Sequence, residues 1–222
     1  MTAIARKAAR ATQVLVVDDH PIVRLGIRQL IASEPSLAVC AETDTIEGAL
    51  TACRTSEVDL ALVDLSLGSE SGLELIKQLH EEHPLIPILV LSMHDEALFA
   101  QRALRAGARG YLQKHEAIDG LIQAIRQVVS GKVFVSDTVA QQVLAGLRGP
   151  NQASTDQLAT LTDREIQVLE RVGRGSSTAD IARDLGVSVK TIETYRSNIK
   201  GKLNLKSALD LVRYATSWIE RP

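Results

Sequence analysis

Five short runs of uninterrupted apolar residues constrain this chain more than any other feature. They are Val14–Val17, Leu37–Ala41, Leu60–Val63, Ile88–Leu91 and Gly110–Leu112. A run that is apolar at every position suits a parallel strand covered on both faces. Between the runs lie amphipathic stretches of helical length, near 21–33, 45–55, 71–82, 95–106 and 116–130. Strand and helix in strict alternation predict an α/β fold, a doubly wound five-stranded parallel sheet. Right-handed crossovers then bring the carboxyl ends of all five strands to one edge, where a site would form.

The alternation stops after Gly131. Val133–Val135 is too short for another unit, and Asp137 to Leu147 reads as one further helix. A polar stretch from Arg148 to Asp156, with Gly149 and Pro150 and no apolar period, reads as a linker. From Leu161 only helical patterns remain. Thr162-Asp-Arg-Glu165 is a capping box, and Gly175 closes the helix that follows. A second helix runs from Ser177 to Leu185 and is closed by Gly186. Ser188 caps a third to Leu203, and Ser207 to Ile219 forms a fourth. The predicted organisation is an α/β domain over 12–131, a linker with a helix over 132–157, and an all-α domain over 158–222.

Composition narrows the function classes. The longest apolar stretch, Leu85–Leu91, falls well short of the ~20 residues that span a bilayer, so no membrane partner is expected. The basic N-terminal residues Arg6, Lys7 and Arg10 are followed by no apolar core, and a cytoplasmic location is expected. Two cysteines, Cys40 and Cys53, exclude a disulfide framework and read as buried free thiols. Residues 1–155 carry 14 Lys/Arg against 18 Asp/Glu, whereas 156–222 carry 11 against 9. Within Ser188–Lys206 five basic residues face one acid, Glu193. An acidic first domain and a locally basic second one point to different partners, nucleic acid being the natural one for the second.

Four features fall at the carboxyl ends of predicted strands: Asp18-Asp19, Asp64, Ser92 and Lys114. Singly each has a plain reading, since an Asp there often caps the next helix and a lone Lys is usually a solvated tip. Jointly they describe a chemistry. Three carboxylates in one crevice repel one another, and a hard divalent cation such as Mg²⁺ offsets the charge. A carboxylate can also attack a phosphoryl group to give an acyl phosphate. An ammonium and a hydroxyl would then hold the transferred oxygens.

The segments VLVVDDHPIVRLGI, LALVDLSLGSESGLELI, VLSMHD and GYLQK together resemble the receiver domain of two-component response regulators, over residues 13 to about 130. The resemblance implies that Asp64 accepts the phosphoryl group and that Asp18, Asp19, Asp64 and the Ser66 carbonyl hold Mg²⁺. It makes Ser92 and Tyr111 the switch pair, with Tyr111 turning from exposed to buried, and Lys114 the phosphate-binding lysine. It implies a sensor histidine kinase as donor. Three positions depart from the common pattern: Leu67-Gly68 in place of Met-Pro, which would loosen the loop after Asp64, Met93 after the switch serine, and His115 where proline usually follows the lysine.

The segments LTDREIQVLE and STADIARDLGVSVKTIETYRSNIKGKL resemble the LuxR-type helix-turn-helix, and the whole chain is similar to NarL/FixJ-type response regulators. On the helix after Ser188, Ile192, Tyr195, Ile199 and Leu203 make an apolar stripe. Lys190, Glu193, Thr194, Ser197, Lys200 and Asn204 make a polar one, which reads either as a solvated face or as a face for the major groove of double-stranded DNA. The resemblance implies that Glu193, Thr194 and Ser197 face base edges. It assigns Lys190, Thr191, Arg196 and Lys200 to phosphates, with Ser177 and Thr178 at a helix N-terminus suited to an anion. Ala208, Leu211, Val212, Ala215 and Ile219 line one face of the last helix, a dimerising or an internally packed face. A homodimer on activation is expected.

Other classes fit less well. A phosphohydrolase or phosphotransferase with an Asp nucleophile commonly carries a second Asp where Ser66 stands, and no segment remains to build a substrate cap. A ligand-gated regulator of LuxR type lacks a ligand-binding half. The nucleotide-binding patterns G-x-G-x-x-G and G-x-x-x-x-G-K-[ST] are both absent. A constitutive DNA binder with an inactive receiver stays as an alternative. The chain is expected not to be an enzyme.

Overall fold

The computed structural model describes residues 10–68, 70–94, 96–147, 158 and 160–219. Two compact units divide the chain, Met1–Leu147 and Arg148–Pro222.

In the first unit strands β1 (Thr12–Val17), β2 (Leu37–Thr43), β3 (Leu60–Val63), β4 (Ile88–Ser92) and β5 (Gly110–Gln113) form one parallel sheet in the order β2-β1-β3-β4-β5. Every residue of β3 and β4 is buried, which accounts for their apolar runs. Helices α1 (Pro21–Ala32), α2 (Ile46–Thr55), α3 (Gly72–Glu82), α4 (Glu96–Ala106) and α5 (Ala117–Val129) follow the strands in turn. Pro21 opens α1, where the missing N–H costs nothing. Thr45 caps α2 through the Gly48 N–H. On one side of the sheet Val14, Val16, Leu60, Leu62, Leu89 and Leu91 pack with Ile27, Ile31, Leu121, Ile125 and Val128 of α1 and α5. Each such side chain contributes about 1.5–3 kcal/mol on burial.

The strand order changes direction at β1 and β3, and the crevice opens past their carboxyl ends. Val17 pairs with Val63, and the Asp64 N–H donates to the Val17 carbonyl at 2.8 Å. That register sets Asp18 and Asp64 side by side. Across the sheet Ser92 pairs with Gln113, which places Lys114 one residue beyond Ser92.

The segment after α5 belongs to the first unit. Phe134 bridges to Gly110, with the Tyr111 N–H donating to the Phe134 carbonyl at 2.8 Å and the Phe134 N–H to the Arg109 carbonyl at 3.0 Å. The Ser136 N–H then donates to Glu96 Oε1 of α4 at 2.9 Å. Helix α6 (Asp137–Leu147) packs against α4 with Val139 buried, so it is part of this unit's wall. The polar stretch 148–156 read as a linker lies outside the described residues.

The cysteines are free and half-buried rather than buried. Burial pushes the Cys53 thiol up to about 11, so it stays protonated at neutral pH. Among the described residues no helix is long and apolar enough to cross a membrane.

The second unit holds α7 (Asp163–Gly173), α8 (Thr178–Asp184), α9 (Val189–Lys202) and α10 (Ala208–Ile219). The capping box at α7 is complete: the Glu165 N–H donates to Thr162 Oγ1 and the Thr162 N–H to Glu165 Oε2. Glu165 also accepts from Lys202 Nζ at 2.7 Å, which ties the start of α7 to the end of α9. Gly175 and Gly186 take the left-handed conformation that ends α7 and α8. Gly173 sits where a Cβ would lie 2.5 Å from the Ala215 carbonyl, so only glycine lets α10 approach this closely.

Two expectations change here. Asn204 lies past the end of α9 with φ of 54°, so it is not on that helix's polar face. The inward face of α10 is Leu211, Ala215 and Trp218, whereas Ala208 and Val212 are exposed.

Candidate functional site

The crevice gathers Asp18, Asp64 and Lys114 into a buried triad. Lys114 Nζ lies 2.8 Å from Asp18 Oδ2 and 2.7 Å from Asp64 Oδ2, with all three side chains no more than 6% exposed. Burial pulls the lysine toward neutrality, but the Asp64 and Asp18 carboxylates outweigh it and hold Lys114 above its ordinary value. Burial raises Asp64 above the usual carboxylate range, the Lys114 cation opposes the rise, and the Asp18 charge adds to it. One cation therefore serves two anions, and the balance is incomplete. Asp64 Oδ1 is buried and, among the described residues, has no hydrogen-bond partner.

Ligand atoms of Asp18, Asp19, His20 and Asp64 lie within 4.8 Å of one another. A hard divalent ion takes its ligands from such oxygens, and the orphaned Asp64 Oδ1 is a suitable donor, so the residues fit Mg²⁺. Asp19 reaches the cluster from the side: its Oδ2 accepts the Gly68 N–H at 2.8 Å. The loop after Asp64 is clipped three times. Gly68 is held by Asp19, the Ile46 N–H donates to Glu70 Oε2 at 3.0 Å, and Ser66 Oγ meets His94 Nε2 at 2.9 Å. Leu67 is buried beneath it. The Leu67-Gly68 pair thus does not leave this loop without anchors.

Ser92 is fully buried, and its Oγ accepts the His94 N–H at 3.2 Å. Tyr111 is also buried, with its hydroxyl donating to the His94 carbonyl at 2.9 Å. Tyr111 thus occupies the inward position of the expected switch in this structure. Met93 points outward and is 68% exposed. Among the described residues no peptide bond is cis, so His115 continues the chain in trans.

Sequence reasoning missed three residues here. His94 joins the Ser66 loop, Ser92 and Tyr111, and its ring lies 4.6 Å from that of Phe99. His20 stands at the acid cluster. Gly72 lets α3 start directly under the phosphoacceptor candidate, since a Cβ there would lie 2.0 Å from the Asp64 carbonyl oxygen. The motif VLSMHD contained His94, and DDH contained His20, but nothing in a linear pattern tells where an imidazole points.

In the second unit Ser188 caps α9 through the Thr191 N–H at 3.1 Å. Ile192 and Ile199 are buried, and Tyr195 is half-buried. Lys190, Glu193, Thr194 and Ser197 are exposed on the opposite side, with Thr191, Arg196 and Lys200 at its margins. Arg196 Nη1 donates to Thr178 Oγ1 at 2.8 Å, which joins α9 to α8. A shallow depression of about 300 Å³ is lined by Thr178, Glu193, Arg196, Ser197 and Lys200 on its polar side. The α8 N-terminus is already filled by an acid. Ser177 Oγ donates to Asp180 Oδ2 at 2.6 Å, and that hydroxyl holds the Asp180 carboxyl below its ordinary range.

Comparison with known proteins matches both units. Residues 14–126 match the response regulator receiver domain, and 159–215 the luxR family of bacterial regulatory proteins. The chain is 33% identical over 202 residues to the response regulator UvrY of Escherichia coli K12, covering 91% of this chain and 92% of that protein. It is 36% identical over 200 residues to the transcriptional regulatory protein UhpA of the same strain, covering 90% and 95%. Among solved structures it is similar to RcsB from Salmonella enterica serovar Typhimurium bound to promoter P1flhDC in the presence of the phosphomimetic BeF3⁻. The TM-score is 0.56 and the identity 25%, over 94% of this chain and 100% of that one. With a buried acid–lysine triad at the switch of a parallel sheet, a capped helix pair in a second unit, and these matches along its length, the chain belongs to the NarL/FixJ family of two-component response regulators, non-enzymatic DNA-binding regulators of transcription controlled by phosphorylation.

Proposed function

We propose that this regulator is switched by a phosphoryl group on Asp64, received from a sensor histidine kinase, and then binds double-stranded DNA as a homodimer through α9. The observation that carries the reading is the pairing of Lys114 with both Asp64 and Asp18 beside an Asp64 oxygen that has no partner among the described residues. An Asp64 carboxylate oxygen forms a bond to phosphorus as the bond from phosphorus to the donor's leaving atom breaks, and the leaving group takes up a proton. Asp18, Asp19, Asp64 and the Ser66 carbonyl would hold Mg²⁺, which offsets charge on the transferring oxygens. Lys114 gives up an aspartate partner for a phosphate oxygen, and the Ser92 hydroxyl donates to another. Tyr111 reports that capture to the face made by α4, β5 and α5.

On the DNA side Glu193, Thr194 and Ser197 are assigned to base edges, and Lys190, Thr191, Arg196 and Lys200 to phosphates. Ser177 and Thr178 act at the rim of the same surface, Thr178 by aiming Arg196. The receiver is assigned to 12–131 with the Phe134 bridge and α6 packed on it, and the DNA-binding domain to 158–222, in a cytoplasmic protein.

The test is phosphoryl loading of the purified chain with a small phosphodonor and Mg²⁺. One acid-labile acyl phosphate is expected on the wild type and none on Asp64→Asn, whose amide lacks the nucleophile. Equal labelling of the variant by intact mass would overturn the assignment.

A further inference from the structure

One side chain at the acid cluster has no part in the chemistry above. His20 occupies the N-cap of α1, a position where a short polar side chain usually accepts a helix N–H. It makes no such bond. Its backbone N–H donates to Asp18 Oδ1 at 2.8 Å, a turn that sets the ring over the carboxylates. Its Nδ1 hydrogen-bonds Asp18 Oδ1 at 3.2 Å and passes 2.6 Å from Asp19 Oδ1.

We propose that His20 is a nitrogen ligand of the divalent-ion site and shifts its preference from Mg²⁺ toward borderline first-row ions such as Co²⁺, Fe²⁺ and Zn²⁺. This rests on the assignment of a metal to Asp18, Asp19 and Asp64. The geometry supports it in three ways. Metal–ligand bonds of ~2.1–2.2 Å place neighbouring ligands about 3 Å apart and opposite ones about 4.4 Å apart. The 4.8 Å span of the four donors is close to that, and the His20 side chain is 55% exposed, so its rotamer adjusts without repacking a core. Lys114 takes Asp18 Oδ2 and Asp64 Oδ2, so an ion would draw on the two Oδ1 atoms, of which that of Asp18 already accepts the His20 N–H. Of these, Asp64 Oδ1 is buried in a side chain only 3% exposed and has no partner among the described residues.

The donor set decides the selectivity. Three carboxylates alone form an all-oxygen site that suits Mg²⁺, which keeps oxygen ligands and several waters. Adding an imidazole benefits ions later in the first row, for which nitrogen is a better donor than water. Mg²⁺ gains little from the same nitrogen. His20 thus sets which ion is held at a site whose charge is otherwise fixed by its carboxylates.

Binding isotherms for Mg²⁺ and Co²⁺ on the full, untagged chain near pH 7.5 test this, with wild type, His20→Ala, His20→Asn and Asp19→Ala compared. His20→Ala is expected to lower the Co²⁺-over-Mg²⁺ preference about tenfold with Mg²⁺ affinity little changed, and His20→Asn to behave alike because it restores an oxygen. Pulsed EPR of the Mn²⁺ form should show nitrogen modulation that His20→Ala removes. Unchanged preference, or both affinities rising together as expected if the ring is only a counter-ion, overturns the role of His20 while leaving the acid site intact. If Asp19→Ala binds both ions as the wild type does, the acid cluster itself is misassigned and the proposal falls with it.

Discussion

The Tyr111 hydroxyl and the Ser66 hydroxyl meet the same residue: the first donates to the His94 carbonyl and the second pairs with His94 Nε2, both at 2.9 Å. His94 is buried, so neither bond is readily replaced by water. A connection from the Asp64 loop to Tyr111 therefore exists beside the one through Ser92. Ser66→Ala and Tyr111→Phe are expected to be non-additive, with a coupling of about 0.5–3 kcal/mol, because they share that partner. Urea unfolding followed by far-ultraviolet circular dichroism checks it. Simple additivity would mean that His94 does not connect the two positions.

Gly72→Ala places a methyl group where only 2.0 Å separates it from the Asp64 carbonyl oxygen. Either α3 or the Asp64 backbone must shift, and strain of this kind typically costs about 1–3 kcal/mol. A displacement of the carboxylate by about 1 Å would slow phosphoryl loading by roughly 100-fold. Loading rates and urea midpoints, measured together, separate the two effects.

The metal-free acid cluster should make stability depend on pH. Asp64 has its folded value raised by burial, so its contribution is fully present below the unfolded value of about 3.9 and is lost as pH rises through the higher folded value. Mg²⁺ answers that loss, and its stabilising effect should grow with pH across the same window. Melting curves with Mg²⁺ and with a chelator should diverge as pH increases in the wild type. In Asp64→Asn they should diverge less.

Glu165 carries the opposite sign. Burial alone would raise it, but the Lys202 ammonium and the Thr162 N–H hold it below the ordinary glutamate range. Its stabilisation is present above about pH 4.3 and lost as pH falls through the lower folded value. Glu165→Gln keeps the cap partner but loses the charge, at a cost of about 1–2 kcal/mol near neutral pH. The difference from wild type should shrink below pH 4. Trp218, the only tryptophan of the chain, lies buried in α10 and reports this unit alone by fluorescence.

The α9 surface should separate affinity from sequence preference. Lys190→Ala and Lys200→Ala each remove about one phosphate contact and should lower the salt slope by about 1 on every sequence. Glu193→Ala should change base preference at one position by ~1–3 kcal/mol, since a carboxylate accepts from cytosine and is repelled by phosphate. A randomised-site selection and salt titrations read the two effects independently.

The strands were legible because burial on both faces leaves apolar runs, as in β3 and β4, and the site was legible because parallel strands end together. Asp18, Asp64, Ser92 and Lys114 could be placed from strand ends alone. Their pairing could not, since whether Lys114 takes one acid or two depends on depth in the crevice. His94 and Gly72 act through side-chain direction and close approach, which leave no periodic mark. The same holds for α6: its pattern shows a helix, but its place in the first unit rests on packing against α4 and on the Ser136–Glu96 bond. The anion seat expected at Ser177 was filled by Asp180, three residues on, which the sequence displayed but composition could not orient.

The bridge from Phe134 to β5 has a mechanical consequence. The thread that leaves the sheet toward α6, and by sequence toward the DNA-binding unit, is fastened at two points: the Tyr111 N–H holds Phe134, and Glu96 at the head of α4 holds Ser136. Both fasteners belong to the parts that move if Tyr111 and α4 rearrange. A load applied along this thread from α6 would be borne first by the Ser136–Glu96 bond and then by the Tyr111 backbone, and a displacement of Tyr111 or of the α4 head would pull on the thread in turn. The exit from the receiver is thus tied to its switch through the main-chain atoms of Phe134 and Ser136, the second of them held by the Glu96 carboxylate.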